Sequence, residues 1–297
     1  MNTLLVTGGT GQVARALDAL APRFEKMGYA IRRVGRPRFD FDRPQTIDEI
    51  FAELSPVLAI NAAGWTAVDA AEDHPDAAAR ANDEGPARLA ALCAAAAIPF
   101  IHLSTDYVFD GTKGAPYTEM DRPNPTCVYG ATKLAGENRI LAQRGRAVIL
   151  RTSWVYAAEG RNFVRTMLAA AQKAATLRVV ADQRGCPTSA VDLADAIVAI
   201  ADRLADGWRD SYGGIFHAAG TGDTNWHGFA AAIFRSAARF GQPVPILTPI
   251  TTAQWPTAAR RPPDSRLDCD KLATIFGARL PPWQAGLDHV IDEIFRR

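Results

Sequence analysis

Tyr129 and Lys133 stand four residues apart in Tyr129-Gly130-Ala131-Thr132-Lys133. That spacing sets both side chains on one helix face. A phenol titrates near ~10 and gives up a proton poorly at neutral pH. A cation beside it favours the phenolate and lowers that value. The pair can then act as an acid on an oxygen while a cofactor delivers hydride to the neighbouring carbon. With six tyrosines and five lysines in 297 residues, the spacing arises by chance in roughly one such chain in ten. A solvated lysine lying along an exposed tyrosine is the plainer explanation, so other residues must decide.

Thr105, in Ser104-Thr105-Asp106-Tyr107-Val108-Phe109, has a hydroxyl able to donate to a substrate carbonyl. With Tyr129 and Lys133 it completes a hydroxyl–phenol–ammonium site that polarises a C=O and steadies the alkoxide formed on hydride attack. Lys133 would also bind the nicotinamide ribose.

The cofactor has its own signal. Thr7-Gly8-Gly9-Thr10-Gly11-Gln12-Val13-Ala14 follows an apolar strand and opens a helix. Gly8 and Gly11 bring backbone close to a pyrophosphate, and the amides from Gln12 and Val13 point at the anion. A turn that uses glycine only for its geometry is the alternative. Where a dinucleotide fold without a 2′-phosphate usually has an acid, this chain has Arg36. Arg36 therefore points to NADPH, with NADH possible; a solvated loop cation is the other explanation. Asp40 and Phe41 can flank the adenine, although Phe41 would serve equally as core. Ala63, Gly64, Trp65 and Thr66 lie where the chain would pass the cofactor's ribose and diphosphate.

These residues need a scaffold. Short apolar runs at Thr3–Thr7, Ala30–Val34, Val57–Asn61, Phe100–Ser104 and Val148–Thr152, with a further strand ending at Asp40-Phe41-Asp42, predict strands. Helices are predicted over Gln12–Lys26, Pro44–Leu54, Asp76–Ala96, Val128–Gln143 and Ala190–Leu204. Alternating strands and helices, with strands apolar on both faces, predict an α/β fold: a Rossmann-like doubly wound parallel sheet. Such sheets bind ligands beyond the carboxyl ends of their strands, where the motifs fall. After Trp154 the alternation weakens and prolines and aromatics gather. The expected division is a dinucleotide-binding domain at 1–164 with a returning segment at 186–204, and a smaller C-terminal substrate-binding lobe at 165–185 and 205–297.

A net charge of +1 favours neither nucleic acid nor a membrane surface as partner. Cys93, Cys127, Cys186 and Cys269 are scattered without a CxxC pair, as in a reduced, cytoplasmic protein. Cys127, two residues before Tyr129, is either a passive neighbour or a thiol whose alkylation would cost activity. The N-terminal apolar stretch is too short for a secretory signal.

Over nearly its whole length the sequence resembles the extended short-chain dehydrogenase/reductases, and within them the dTDP-4-dehydrorhamnose reductase family. The matching stretches are Thr10-Gly11-Gln12-Val13, Asn61-Ala62-Ala63, Ser104 to Phe109 and Tyr129-Gly130-x-Thr132-Lys133-Leu134-Ala135-Gly136-Glu137. Arg151-Thr152-Ser153-Trp154-Val155-Tyr156, Asp182-Gln183-x-Gly185-x-Pro187-Thr188 and Ser265-Arg266-Leu267-Asp268 carry it into the C-terminal part. The resemblance implies NAD(P)H-dependent reduction of the C4 ketone of a dTDP-4-keto-6-deoxy sugar, the last step of dTDP-rhamnose synthesis. It makes Tyr129 the proton donor and gives Thr105, Asp106 and Trp154 to the sugar. Arg261 and Arg266 are the candidates for the diphosphate. Trp154 as core, and the two arginines as surface salt bridges, remain open.

Some relatives hold Mg2+ between subunits with three glutamates, which align here with Ala16, Val191 and Glu293. A hard dication wants several oxygen ligands, so no metal is expected, and a monomer or weak homodimer is. Three alternatives stay open. A dehydratase of the superfamily would carry a glutamate where this chain has Tyr107. An epimerase would consume no net cofactor. A non-catalytic dinucleotide-binding subunit, like that associated with methionine adenosyltransferase, would need no proton donor.

Overall fold

A computed structural model describes residues 1–296. Six strands, β1 (Asn2–Thr7), β2 (Tyr29–Val34), β3 (Leu58–Asn61), β4 (Phe100–Thr105), β5 (Ala147–Thr152) and the later β10 (Gly214–His217), form one parallel sheet in the order β10-β5-β4-β3-β1-β2. Successive side chains of a strand point to opposite faces, and the sequence fills both with apolar residues. Leu4, Val6, Leu58, Ile60, Ile101, Val148 and Leu150 enter one core, and Leu5, Ala59, Phe100 and Ile149 the other. The first face is covered by α1 (Gln12–Ala19), α2 (Ala21–Lys26) and, later in the chain, α9 (Ala190–Ala205) and α11 (Asp270–Phe276). The second is covered by α3 (Gln45–Leu54), α6 (Gly85–Ala95) and α7 (Val128–Ala142). Two short helices, α4 (Val68–Asp73) and α5 (Pro75–Ala79), precede a π-helical turn at Arg80–Glu84 that runs into α6.

Past the sheet, β6 (Val155–Tyr156) pairs with β9 (Thr188–Ser189), β7 (Thr176–Val180) with β12 (Ile246–Ile250), and β8 (Arg184–Gly185) with β11 (Thr224–Asn225). Helices α8 (Phe163–Ala171), α10 (Trp226–Ala238) and α12 (Trp283–Phe295) close a separate aromatic core around Phe229 and Trp283. Side chains start α8 and α10: Asn162 accepts the Arg165 N–H and Asn225 the Gly228 N–H.

Three expectations change. Asp40-Phe41-Asp42 is a turn, because the Asp40 N–H is bound by Thr46 Oγ1 at 2.9 Å and Asp40 O takes the Arg43 N–H; Phe39 and Phe41 are buried, which mimics a strand's alternation. The helix expected over Gln12–Lys26 breaks at Leu20, with Pro22 in the first turn of α2, where its missing N–H costs no bond. The sixth strand of the sheet is β10, from the stretch expected in the lobe, paired with β5; Leu272 and Phe276 of that same stretch join the sheet's core.

Candidate active site

Strands β1 and β3 are neighbours, but the chain proceeds from them to opposite sides of the sheet. Their carboxyl ends therefore open a crevice, the ligand position of such folds. Gly8 lies there at φ +107°, and a Cβ on it would stand 2.8 Å from the Ala62 carbonyl oxygen. Only glycine fits both conditions. Gly11 begins α1 and no side chain caps that end, so the amides of Gln12 and Val13 are presented to an anion rather than spent on a cap. The Gln12 carboxamide is turned aside, accepting from Asn162 Nδ2 at 2.9 Å.

At the end of β2, Arg36 is 65% exposed and ion-paired to Asp40 at 2.9 Å and Asp42 at 2.8 Å. Phe41 is buried in the sheet's second core. Beyond β3, the Ala63 N–H donates to Asn61 Oδ1 at 3.2 Å, and Thr66 is exposed. Asn82, fully buried in the π-helical turn, binds this segment: it accepts the Trp65 N–H at 2.9 Å and donates to Trp65 O and to Thr132 Oγ1, each at 3.2 Å. A Cβ on Gly64 would come 2.9 Å from Asn82 Oδ1 and 3.8 Å from Lys133 Nζ. The expected cofactor strip and the expected catalytic lysine therefore meet.

Helix α7 delivers Tyr129 and Lys133. Cys127 caps its start, Sγ accepting the Gly130 N–H; burial raises the thiol's pKa, and its role in the structure is that of a cap. The Tyr129 ring meets Tyr107 edge-on, with centroids 5.5 Å apart. The Thr105 hydroxyl donates to Asp106 Oδ1 at 3.1 Å and lies close enough to the phenol to act on it. The sequence-based expectation for the phenol is reversed. Burial pushes Tyr129 up to about 12, opposed by Thr105 and reinforced by the Asp106 charge. Lys133 is itself buried; its Nζ donates to the Leu103 carbonyl at 2.5 Å and faces His102 Nε2 at 3.4 Å. Burial brings Lys133 down to about 8, with Glu137 pulling the other way. The i,i+4 spacing aligns the two side chains along the helix, but desolvation outweighs charge in setting the phenol.

The resulting centre is a neutral acid. A phenol at about 12 keeps its proton at neutral pH and yields it to an alkoxide, which is the stronger base. Asp106 is buried too; burial pushes it up to about 7, with the neighbouring Ser265 and Thr105 hydroxyls acting to lower it. Its Oδ2 has no hydrogen-bond partner. Beneath the centre, the Arg151 guanidinium grips Glu137 in a bidentate pair at 2.9 and 2.6 Å, and Ser104 Oγ donates to the same carboxylate.

The remaining substrate candidates lie in the C-terminal part. Trp154 stacks on Trp226 with ring centroids 3.5 Å apart, and Gly185 leaves room for its indole. Arg261 pairs with Asp69 of α4 through bonds of 3.0 and 2.7 Å, beside a cavity of about 460 Å³ lined by Trp255, Arg260 and Pro263. Arg266 grips Asp264 at 2.8 and 2.6 Å. Both forks are occupied by carboxylates, so an incoming diphosphate would have to compete for them.

With this geometry in view, comparison with known proteins is informative. The family model described as RmlD substrate binding domain matches residues 1–296. The chain belongs to the RmlD family. Among its relatives, the dTDP-4-dehydrorhamnose reductase of Sinorhizobium fredii (strain NBRC 101917 / NGR234) is 44% identical over 95% of this chain and 94% of its own length. The protein of that name from Escherichia coli (strain K12) is 39% identical over 99% and 98%. The crystal structure of dTDP-4-dehydrorhamnose reductase from Bacillus anthracis, in complex with NADP, matches with a TM-score of 0.89 at 31% identity, covering 99% of this chain and all of that one.

Relative to the glutamates of some reductases in this family, Ala16 and Val191 carry no side-chain oxygen. Among the described residues no group of three or more His, Cys, Asp or Glu side chains gathers in this single chain. Two buried polar residues were not picked out from the sequence. Asn82 stands in an alanine-rich stretch, and His102 interrupts the apolar run Phe100-Ile101-His102-Leu103. A polar side chain inside an apolar run is the available signal, since burial obliges it to find a hydrogen-bond partner.

Proposed function

We propose that the chain reduces the C4 ketone of dTDP-4-dehydro-β-L-rhamnose to give dTDP-L-rhamnose, the last step of dTDP-rhamnose synthesis. What supports this reading is Lys133 Nζ beside Gly64, at the crevice that begins at Gly8, with Tyr129 on the same helix α7 and Thr105 close to its phenol. The reduced nicotinamide, when bound, supplies hydride. Thr105 and Tyr129 hydrogen-bond the ketone oxygen, and Tyr129 gives it the proton. Lys133 holds the ribose from a site that excludes water. Asp106 and Trp154 are assigned to the sugar, and Arg261 and Arg266 to the diphosphate. Within residues 165–185 and 205–297, the parts outside β10 and α11 would carry this nucleotide specificity. Tyr107 takes the place where a dehydratase would have its carboxylate, which supports reduction over elimination.

NADPH is the cofactor in this reading, received by Arg36, whose guanidinium would exchange one of its carboxylate partners for the 2′-phosphate; NADH is the alternative. The test is loss of nicotinamide absorbance with a dTDP-4-keto-6-deoxy sugar, run with NADPH and with NADH. Turnover is expected, with the higher kcat/KM for NADPH. In Tyr129→Phe, kcat falls by about 10²–10⁴-fold while cofactor binding is retained. No cofactor oxidation would end the reading, equal or better use of NADH would end the preference, and an unimpaired Tyr129→Phe would remove its role.

A further inference from the structure

A chain of buried side chains crosses the sheet from the glycine turn to Lys133. The Thr7 hydroxyl donates to Asn61 Oδ1, Asn61 Nδ2 meets His102 Nδ1 at 2.9 Å, and His102 Nε2 meets Lys133 Nζ at 3.4 Å. Thr7, Asn61 and His102 have no exposure to solvent. The direction of the chain is fixed at one end. The Ala63 backbone N–H, which can only donate, is shared between Asn61 Oδ1 at 3.2 Å and Thr7 Oγ1 at 3.3 Å, so a second donor at the Oδ1 position would face it. Oδ1 is therefore the acceptor side of that carboxamide, and Nδ2, a donor, faces His102. His102 Nδ1 must then accept. Burial, with the Lys133 charge second, lowers the His102 pKa well below the ordinary histidine range, so the ring is neutral and its one proton is on Nε2.

We infer that His102, locked by Asn61 as the Nε2–H tautomer, is a positioning residue that presents a donor to Lys133 Nζ and so disfavours its ammonium. A neutral amine fits both contacts: it donates to the Leu103 carbonyl and accepts from His102. An ammonium has no lone pair to receive the Nε2 proton. The catalytic meaning of this control rests on the proposed role of Lys133, whereas the control itself does not. The titratable and charged groups on the elements packed around α7 are Tyr129, Glu137 and Arg139 on the helix, His102 on β4, Arg151 on β5, Asp106 and Tyr107 in the turn after β4, Arg80, Asp83 and Glu84 in the π-helical turn, Asp69, Glu72 and Asp73 on α4, Asp76 on α5, and Arg88 and Cys93 on α6. Arg151 is bound to Glu137, Arg88 to Asp48 and Asp69 to Arg261. Glu137 is the charge that acts on Lys133, favouring the ammonium, while burial opposes it.

Two variants separate the donor from mere packing. Asn61→Asp keeps an acceptor for Ala63 and Thr7 but accepts from Nδ1–H, which turns the Nε2 lone pair towards Lys133. His102→Gln offers a carbonyl oxygen at the position of Nε2. Nitrogen NMR of the five histidines reads the tautomer, and carbon NMR of labelled lysine, with Lys133→Arg for assignment, reads the titration. The wild type should show His102 neutral with a bare Nδ1. The Lys133 midpoint should lie near 8 and rise by about one pH unit or more in each variant. A protonated Nδ1 in the wild type overturns the inference even if neither variant folds, and so does a Lys133 midpoint that stays put in both. Neither readout needs turnover, so a chain with no reductase activity but with these shifts would refute the proposed function and leave this inference standing.

Discussion

At the scale of residues, the site is governed by desolvation. Sequence spacing correctly brings Tyr129 and Lys133 onto one face of α7, but it carries no information about the dielectric around them. Burial moves the phenol up and the amine down, so the centre holds its proton on oxygen. Asp106 obeys the same physics and gives a measurable pH dependence. Its folded pKa of about 7 lies above the ordinary value of 3.8, so the native state binds more protons between those limits. Its contribution to stability is whole below the unfolded value and is lost as pH rises to about 7. Urea midpoints of the wild type should therefore fall more steeply from pH 4 to 7 than those of Asp106→Asn. The difference in slope should approach about 1.4 kcal/mol per pH unit. Parallel curves would mean that Asp106 is already ionised in the folded protein.

At the scale of elements, α7 is the part that must be placed closely. Gly130 abuts the Tyr107 carbonyl, and Gly136 abuts the Asn82 carbonyl in the π-helical turn. These two glycines let the helix approach both the turn after β4 and the segment that holds Gly64 and Trp65. Gly136→Ala tests this by its sign. Helix propensity alone would stabilise the protein by about 1 kcal/mol. Overlap of the new methyl with Asn82 O should instead destabilise it by about 1–3 kcal/mol and lower kcat, because α7 carries Tyr129. A more stable, fully active variant would show that α7 tolerates displacement. The strand-to-helix turn at Gly8–Gly11 was legible in the sequence because its glycines follow an apolar strand. The break at Leu20 and the turn at Asp40–Asp42 were not. The first depends on a single Pro22, and the second on a Thr46 hydrogen bond that makes buried Phe39 and Phe41 look like alternate strand positions.

At the scale of the whole molecule, apolar strands alternating with helices were enough to predict the parallel sheet. β10 escaped because its four residues lie among glycines and aromatics and reach the sheet only through a long return. Salt bridges for Arg261 and Arg266 were an open alternative in the sequence; Asp69 as the partner of Arg261 escaped because it lies 192 residues away, whereas Arg266 pairs locally with Asp264. RmlD family membership and the place of Lys133 beside Gly64 in the crevice support the act proposed above: hydride delivered to a sugar ketone, with Tyr129 as the proposed proton donor. Transfer from a nicotinamide deuterated at C4 on the transferring face, with the nucleotide-sugar product examined by NMR, tests this most directly. The account predicts one deuterium on C4 of dTDP-L-rhamnose and one equivalent of cofactor oxidised. Product formed with the cofactor unconsumed, or without deuterium at C4, would contradict it.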